Sequence, residues 1–134
     1  MSESTSSEFG LDQIGQIAIP VRDLERAITF YRDVLGMQFL FQAPPGLGFF
    51  DCGGVRLMLD APAAEQAGQS SVLYYRVADL NDAFETLSSR GVVFEAEPHR
   101  IATLPDHELW MAFFRDPEAN LIALMSEVGL GSTP

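Results

Sequence analysis

The chain has 134 residues, 47% of them apolar and 20% charged, which fits one ordinary globular domain and excludes a disordered chain, a collagen-like repeat and a disulfide scaffold. Eight basic residues against nineteen acidic ones give a net charge of −11, which argues against a nucleic-acid partner because phosphate is repelled by such a surface. All eight basic residues are arginine, so Schiff-base chemistry and a phosphate-loop lysine are excluded.

Residues 1–13 read as an arm or disordered segment. Met1 to Glu8 has neither the basic start nor the apolar run of a signal peptide. No later stretch approaches the ~18 apolar residues of a membrane span. With a single cysteine, Cys52, unable to form an internal disulfide, the expectation is a cytoplasmic protein without a membrane partner.

Ile14 to Val21 alternates loosely and is rich in Ile and Val, as a strand should be. Asp23 is placed to cap a helix in which Leu24, Ala27, Ile28, Tyr31 and Leu35 recur at helical spacing, and Gly36 to end it. Strands are expected at Met37–Ala43, Gly46–Cys52 and Val55–Asp60, with Gly53-Gly54 as a tight hairpin. Residues 61–70 form a polar linker. A second series follows: a strand at Val72–Val77, a helix from Asp79 to Arg90 closed by Gly91, and strands at Val92–Glu97, about Glu108–Phe114, and Asn120–Ser126. Residues 128–134 are left as a tail.

The two series are copies. Val21-Arg22-Asp23-Leu24 recurs as Val77-Ala78-Asp79-Leu80, Gly36 to Phe39 as Gly91 to Phe94, and Phe49-Phe50 as Phe113-Phe114. The offset grows by about nine before the last match, so extra residues lie between Glu95 and Glu108. The expected class is therefore α+β: one domain over 14–127, made of βαβββ modules at 14–60 and 71–127. If each helix covers the larger apolar set of its sheet, Gln16 and Ala18 point to the other side. By the same register so do Val72, Tyr74 and Arg76. Two such faces brought together would enclose a cup.

Ile17 to Ala27 with Phe30 to Gly36, and Asp116-Pro117-Glu118-Ala119-Asn120-Leu121, resemble the vicinal oxygen chelate superfamily, which includes glyoxalases, bleomycin-resistance proteins, methylmalonyl-CoA epimerases and extradiol dioxygenases. The resemblance spans about Ile14 to Glu127. It implies a cup-shaped mixed sheet and a homodimer. Metal-binding members hold a divalent cation with His or Gln, Glu, His and Glu at four strand positions. Carried across, these fall on Gln16, on Met58 (or Leu57 with the register off by one), on Val72 and on Ala123. One amide oxygen does not hold a divalent ion. No cofactor is expected, and a divalent metal only at a non-standard site.

Two functions follow as expectations. One is metal-independent binding of a small molecule in the cup, as in bleomycin-resistance proteins, lined by Gln16, Tyr74, Arg76 and Trp110. Arg76 would clamp a carboxylate there, or else sit at the rim paired with an acid; Tyr74 would line the cup or belong to the core. The alternative is a lyase or isomerase of glyoxalase type using His99, His107 and Glu108 in a non-standard site, the bland reading being loop histidines in solvent. Phe49, Phe50, Phe113 and Phe114 are read as largely core. Cys52 is read as a small buried or turn residue, and Arg22, Arg26 and Arg32 as surface charge.

Overall fold

Asp23 and Asp79 start the two helices by the same device. Each accepts, on its Oδ1, the backbone N–H three residues on, from Arg26 at 3.1 Å and from Asp82 at 3.0 Å. Gly36 and Gly91 follow the two helical segments with φ of 74° and 96°, a conformation that costs glycine nothing. The computed structural model describes residues 9–65 and 71–129. The expectations for 1–8, 66–70 and 130–134 fall outside the described residues.

The chain order is β1 (Gln16–Pro20), α1 (Leu24–Thr29) widening into a π turn at Phe30–Val34, β2 (Gln38–Ala43), β3 (Leu47–Cys52), β4 (Val55–Asp60) and a 3-10 turn at Pro62–Glu65. Then come β5 (Leu73–Arg76), α2 (Leu80–Ser89), β6 (His99–Thr103), β7 (His107–Arg115) and β8 (Leu121–Gly129). Two four-stranded mixed sheets result, ordered β1-β4-β3-β2 and β5-β8-β7-β6. The duplication holds to the residue: the parallel pair Ala18↔Met58 recurs as Tyr74↔Ala123. Among the described residues no helix is long and apolar enough to cross a membrane.

One expected strand is corrected. Val92–Glu97 makes only an isolated bridge, Phe94↔Phe114, and one bond from the Glu95 N–H to the Phe113 carbonyl. That bridge repeats Phe39↔Phe50 of the first module. Regular pairing resumes only at His99↔Met111, after Pro98, whose missing N–H cannot join a ladder. The nine extra residues are spent on this bulge and on a longer β6–β7 hairpin, closed by the Leu104 N–H on the His107 carbonyl at 2.8 Å.

The helix-side faces of both sheets close one shared core. Ile19, Leu57, Leu59 and Phe50 from the first sheet meet Ala112, Phe114, Ile122 and Leu124 from the second, with Ala27, Ile28, Tyr31, Leu80 and Leu87 from the helical segments between them. Phe30 reaches across the modules to the Phe114 ring, with centroids 6.4 Å apart. The modules are therefore packed back to back. Each fully buried Phe or Leu contributes roughly 1.5–3 kcal/mol.

The loop joining β7 to β8 fastens this packing. Asp116 is buried and accepts four hydrogen bonds: from the Tyr31 hydroxyl at 2.9 Å, the Glu118 and Asn120 N–H groups at 2.8 Å each, and the Asn120 side chain at 2.9 Å. Glu118 accepts the Arg22 N–H at 2.7 Å, the Asp23 N–H at 2.9 Å and Arg26 Nη2 at 2.8 Å. Thus the start of α1, in the first module, is tied to a turn of the second. Arg26, expected as surface charge, is one end of this tie. Among the described residues Arg32 pairs only with its neighbour Asp33.

Burial alone pushes the Glu118 carboxyl up, but the Arg26 guanidinium and the two amide donors outweigh it, so the group is held below its ordinary value of 4.5. The unfolded chain then binds the proton more tightly. This contribution is fully present above the ordinary value and is lost as pH falls through the lower folded-state value. Glu118→Ala is expected to cost about 2–3 kcal/mol in urea unfolding at pH 7, and to flatten the loss of stability below pH 4.5 seen in the parent. An equal acid slope in both proteins would contradict this. Ala119 in the same turn has φ 69°, a conformation strained for any side chain. Ala119→Gly is expected to raise stability by about 0.5 kcal/mol, relief of strain exceeding the added freedom of the unfolded chain.

Candidate functional site

Back-to-back packing turns the uncovered face of each sheet outward. On the first sheet this face carries Gln16 and Ala18 from β1, Arg56 and Met58 from β4, and Phe49 from β3, as strand parity and the pairings Gln16↔Arg56 and Phe49↔Met58 require. Gln16 Nε2 points its N–H at the Met58 sulfur at 3.8 Å. The Arg56 guanidinium lies 5.9 Å from the centre of the Phe49 ring, and Phe41 packs against Phe49 from the edge strand, with centroids 4.8 Å apart. Leu57, the alternative to Met58, belongs to the buried helix side.

On the second sheet the corresponding face carries Tyr74 and Arg76 from β5, Ala123 and Met125 from β8, and Met111 and Phe113 from β7. Tyr74 stands 51% exposed with its ring edge-on to Phe113, so the core reading of Tyr74 is set aside. Arg76 is exposed and makes no ion pair among the described residues. The same is true of Arg56. Gln16, Tyr74 and Arg76 therefore lie where strand parity puts them.

Trp110 does not. It shares parity with Ala112 and Phe114, packs against the shared core, and donates its indole N–H to Glu108 at 3.1 Å. The expectation that Trp110 lines the same face as Tyr74 is corrected. The repeat aligns Phe114 with Phe50, two core positions, and counting back from Phe114 by twos reaches Trp110; that signal was present in the sequence. The missed residue is Arg56, two positions before Met58 on β4 and hence on the same face.

His99, His107 and Glu108 are not brought together. His99 and His107 share the outward face, but their β7 levels differ by four residues, about 13 Å of strand. The His99 Nδ1–H donates to the Glu97 carbonyl at 3.1 Å, and the His107 Nδ1–H to Asp106 at 2.7 Å near the hairpin tip. Glu108 points to the opposite face, beside Trp110 and 3.6 Å from Arg100. Cys52 is half-buried at the end of β3; burial and then the neighbouring Asp51 push its thiol pKa up, away from nucleophilic use.

The four positions at which metal-binding members of the superfamily hold their cation carry an amide, a thioether, an isopropyl and a methyl group, at Gln16, Met58, Val72 and Ala123. Ala18↔Met58 and Tyr74↔Ala123 are equivalent pairs, so the correspondence between modules does not rest on sequence alignment alone. This donor set does not fit a divalent ion. Among the described residues no group of three or more His, Cys, Asp or Glu is arranged to hold a metal elsewhere.

Because Arg76 is exposed and unpaired, Arg76→Ala is expected to change folding stability by less than about 0.5 kcal/mol in urea unfolding. A larger loss would mean that the side chain serves the fold.

Comparison with known proteins agrees with this architecture. Residues 13–124 match the family model described as the Glyoxalase/Bleomycin resistance protein/Dioxygenase superfamily. The Bacillus subtilis (strain 168) protein YraH is 28% identical over 126 residues, covering 81% of this chain and 94% of its own length. Among solved structures, lactoylglutathione lyase from Agrobacterium tumefaciens superposes with a TM-score of 0.71 at 23% identity, over 87% of this chain and 95% of that one. TnmS3, an antibiotic binding protein from Streptomyces sp. CB03234, superposes with a TM-score of 0.71 at 24% identity, over 89% and 98%. At these identities the two structures speak for the fold alone. With the family model matching most of the chain and both βαβββ modules in place, this chain belongs to the glyoxalase/bleomycin resistance protein/dioxygenase superfamily.

Proposed function

We propose that this protein binds a small, anionic, partly aromatic molecule without a metal, in a cup built from the first module of one copy and the second module of another. The observation that carries the reading is the pair Arg56 and Arg76. In a chain with more than twice as many acids as bases, both stand without an ion pair among the described residues, on the two faces that also present Phe41, Tyr74 and Phe113, with Phe49 buried beside Phe41 and Arg56. Arginine matches a carboxylate or phosphate bidentately, and the rings offer flat apolar contact.

Assembly from two copies follows from the packing. Within one chain the two faces point away from their common core and do not meet. β1 and β5 are edge strands, and Phe9, Leu11 and Ile14, just before β1, are exposed. A homodimer would cover these groups and bring the first-module face of one copy against the second-module face of the other. The fold relative TnmS3, an antibiotic binding protein, lends support to small-molecule binding as the use of such a cup. The lone, unactivated Cys52 suits the cytoplasm. A lyase or isomerase using His99, His107 and Glu108 has no convergent geometry to support it.

Sedimentation of the protein is expected to show a dimer. After incubation with zinc, nickel, manganese or ferrous iron and desalting, elemental analysis is expected to find less than about a tenth of an equivalent of each. Aryl carboxylates screened by ligand-observed NMR are expected to bind, at least about tenfold more weakly to Arg76→Ala than to the parent. One tight metal equivalent per chain, or aryl carboxylate affinities indifferent to Arg76→Ala, would overturn the reading.

A further inference from the structure

A second apolar space lies on the other side of the β5–β8 sheet, under α2. It has a volume of about 280 Å3 and is walled by Leu35 and Met37 of the first module, Val77 and Leu124 of the second sheet, and Ala83 and Leu87 of α2. The space opens to solvent along α2, so it is a cleft that a ligand can enter and not a closed void in the core. These walls are mainly apolar and suit an apolar occupant, but Tyr75 lines the space too, and its buried hydroxyl has no hydrogen-bond partner among the described residues.

Its mouth is polar. Asp82, Thr86 and Arg90 succeed one another at four-residue spacing along α2 and its C-terminal end. The Arg90 Nη1–H donates to the Val34 carbonyl at 2.8 Å, which holds the guanidinium in place across the module boundary. No carboxylate pairs with Arg90 among the described residues. Arg90 also lines a more open cavity of about 580 Å3, together with Val92, Glu95, Arg115 and Asp116. Asp82 sits in the first turn of α2, where the helix N-terminus already favours a negative charge. The charge left to be met at this mouth is therefore the positive one.

We infer that the cavity under α2 is a binding site separate from the cup, taking a small amphipathic monocarboxylate with its chain between α2 and the sheet and its carboxylate on the free N–H groups of Arg90. The two modules share this site, since Leu35, Met37 and the Val34 carbonyl come from the first and the rest from the second. An occupant would tighten α2 against the module boundary. Nothing in this inference depends on the cup being a ligand site.

The test uses octanoate, octylammonium and 1-octanol as probes, titrated into the full chain with the methyl resonances of Val77, Leu87 and Leu124 as the readout. Octanoate is expected to bind once per chain, at least about tenfold tighter than either other probe. Ala83→Leu, which fills the cavity, and Arg90→Met, which removes the exposed charge and its hydrogen bond to the Val34 carbonyl, are each expected to weaken octanoate about tenfold or more. Arg76→Ala is expected to leave it unchanged, which separates this site from the cup. Unfolding midpoints are measured alongside, and Arg90→Met alone decides if Ala83→Leu does not fold. Octylammonium binding as tightly as octanoate, octanoate affinity indifferent to Arg90→Met, or sensitivity to Arg76→Ala in its place would overturn the inference.

Discussion

Everything in this structure depends on how the two modules are held together, and Asp116 and Glu118 do the holding. A carboxylate that accepts four hydrogen bonds, beside another that accepts three, is expensive to desolvate and stable only with its donors in place. The donors come from both modules: Tyr31, Arg22, Asp23 and Arg26 from the first, and the turn's own amides from the second. Neither carboxylate can keep its partners if the modules slide or open. The apolar core supplies most of the stabilisation, but apolar contact is non-directional. The carboxylates select one orientation out of those the core alone would tolerate.

That orientation decides where function can lie. Each sheet has two faces, and the shared core consumes one from each. What remains is outward, so an enclosed cup would require a second copy, and the proposed function treats the groups on the outward faces as halves of such a site. Arg56 and Arg76 make sense in those terms. An exposed arginine in a chain of net charge −11 has many acids to pair with; Arg26, Arg32, Arg100 and Arg115 do pair, while Arg22, Arg56, Arg76 and Arg90 make no ion pair among the described residues. The two on the outward faces are left with Phe49, Met58, Tyr74 and Met125 around them.

Much of this was legible in the chain alone, for a definite reason. Duplication doubles every local signal: Asp23 and Asp79 both cap, Gly36 and Gly91 both follow helices, and a face assigned in one module transfers to the other. Periodicity identified which side of each strand is buried, and Gln16, Tyr74 and Arg76 were placed correctly by it. It carried no information on what those sides are buried against, so back-to-back packing was out of reach. Inside the nine-residue insertion there was no copy to compare, and there the strand at Val92–Glu97 failed. Trp110 failed differently. It was assigned by chemistry, as an aromatic suited to a pocket, against its own parity. Glu118 carries no such signal, because a carboxylate that straps two modules looks like any surface acid until its donors are seen.

The loss of metal donors and the gain of free cations belong to one account of the cup. A divalent ion supplies two positive charges at one point, and on the proposed reading Met58, Val72 and Ala123 leave no donors to hold one. An anion entering the apolar remainder would be desolvated with nothing to compensate it. Arginines on the same faces restore a counter-charge, spread over a planar group that hydrogen-bonds directionally instead of by coordination. Such a cup holds an anion in a fixed orientation but polarises it far less than a metal would. The proposed reading is therefore one of holding the molecule intact, in place of activating an oxygen with a Lewis acid. The long-range field of eleven excess negative charges opposes the approach of the same anion. Salt screens that repulsion over roughly 8–10 Å while the contact pair, partly shielded by protein, is screened less. If this face captures an anion as proposed, capture is governed at short range, by shape and by the two guanidinium groups, and not by steering from afar.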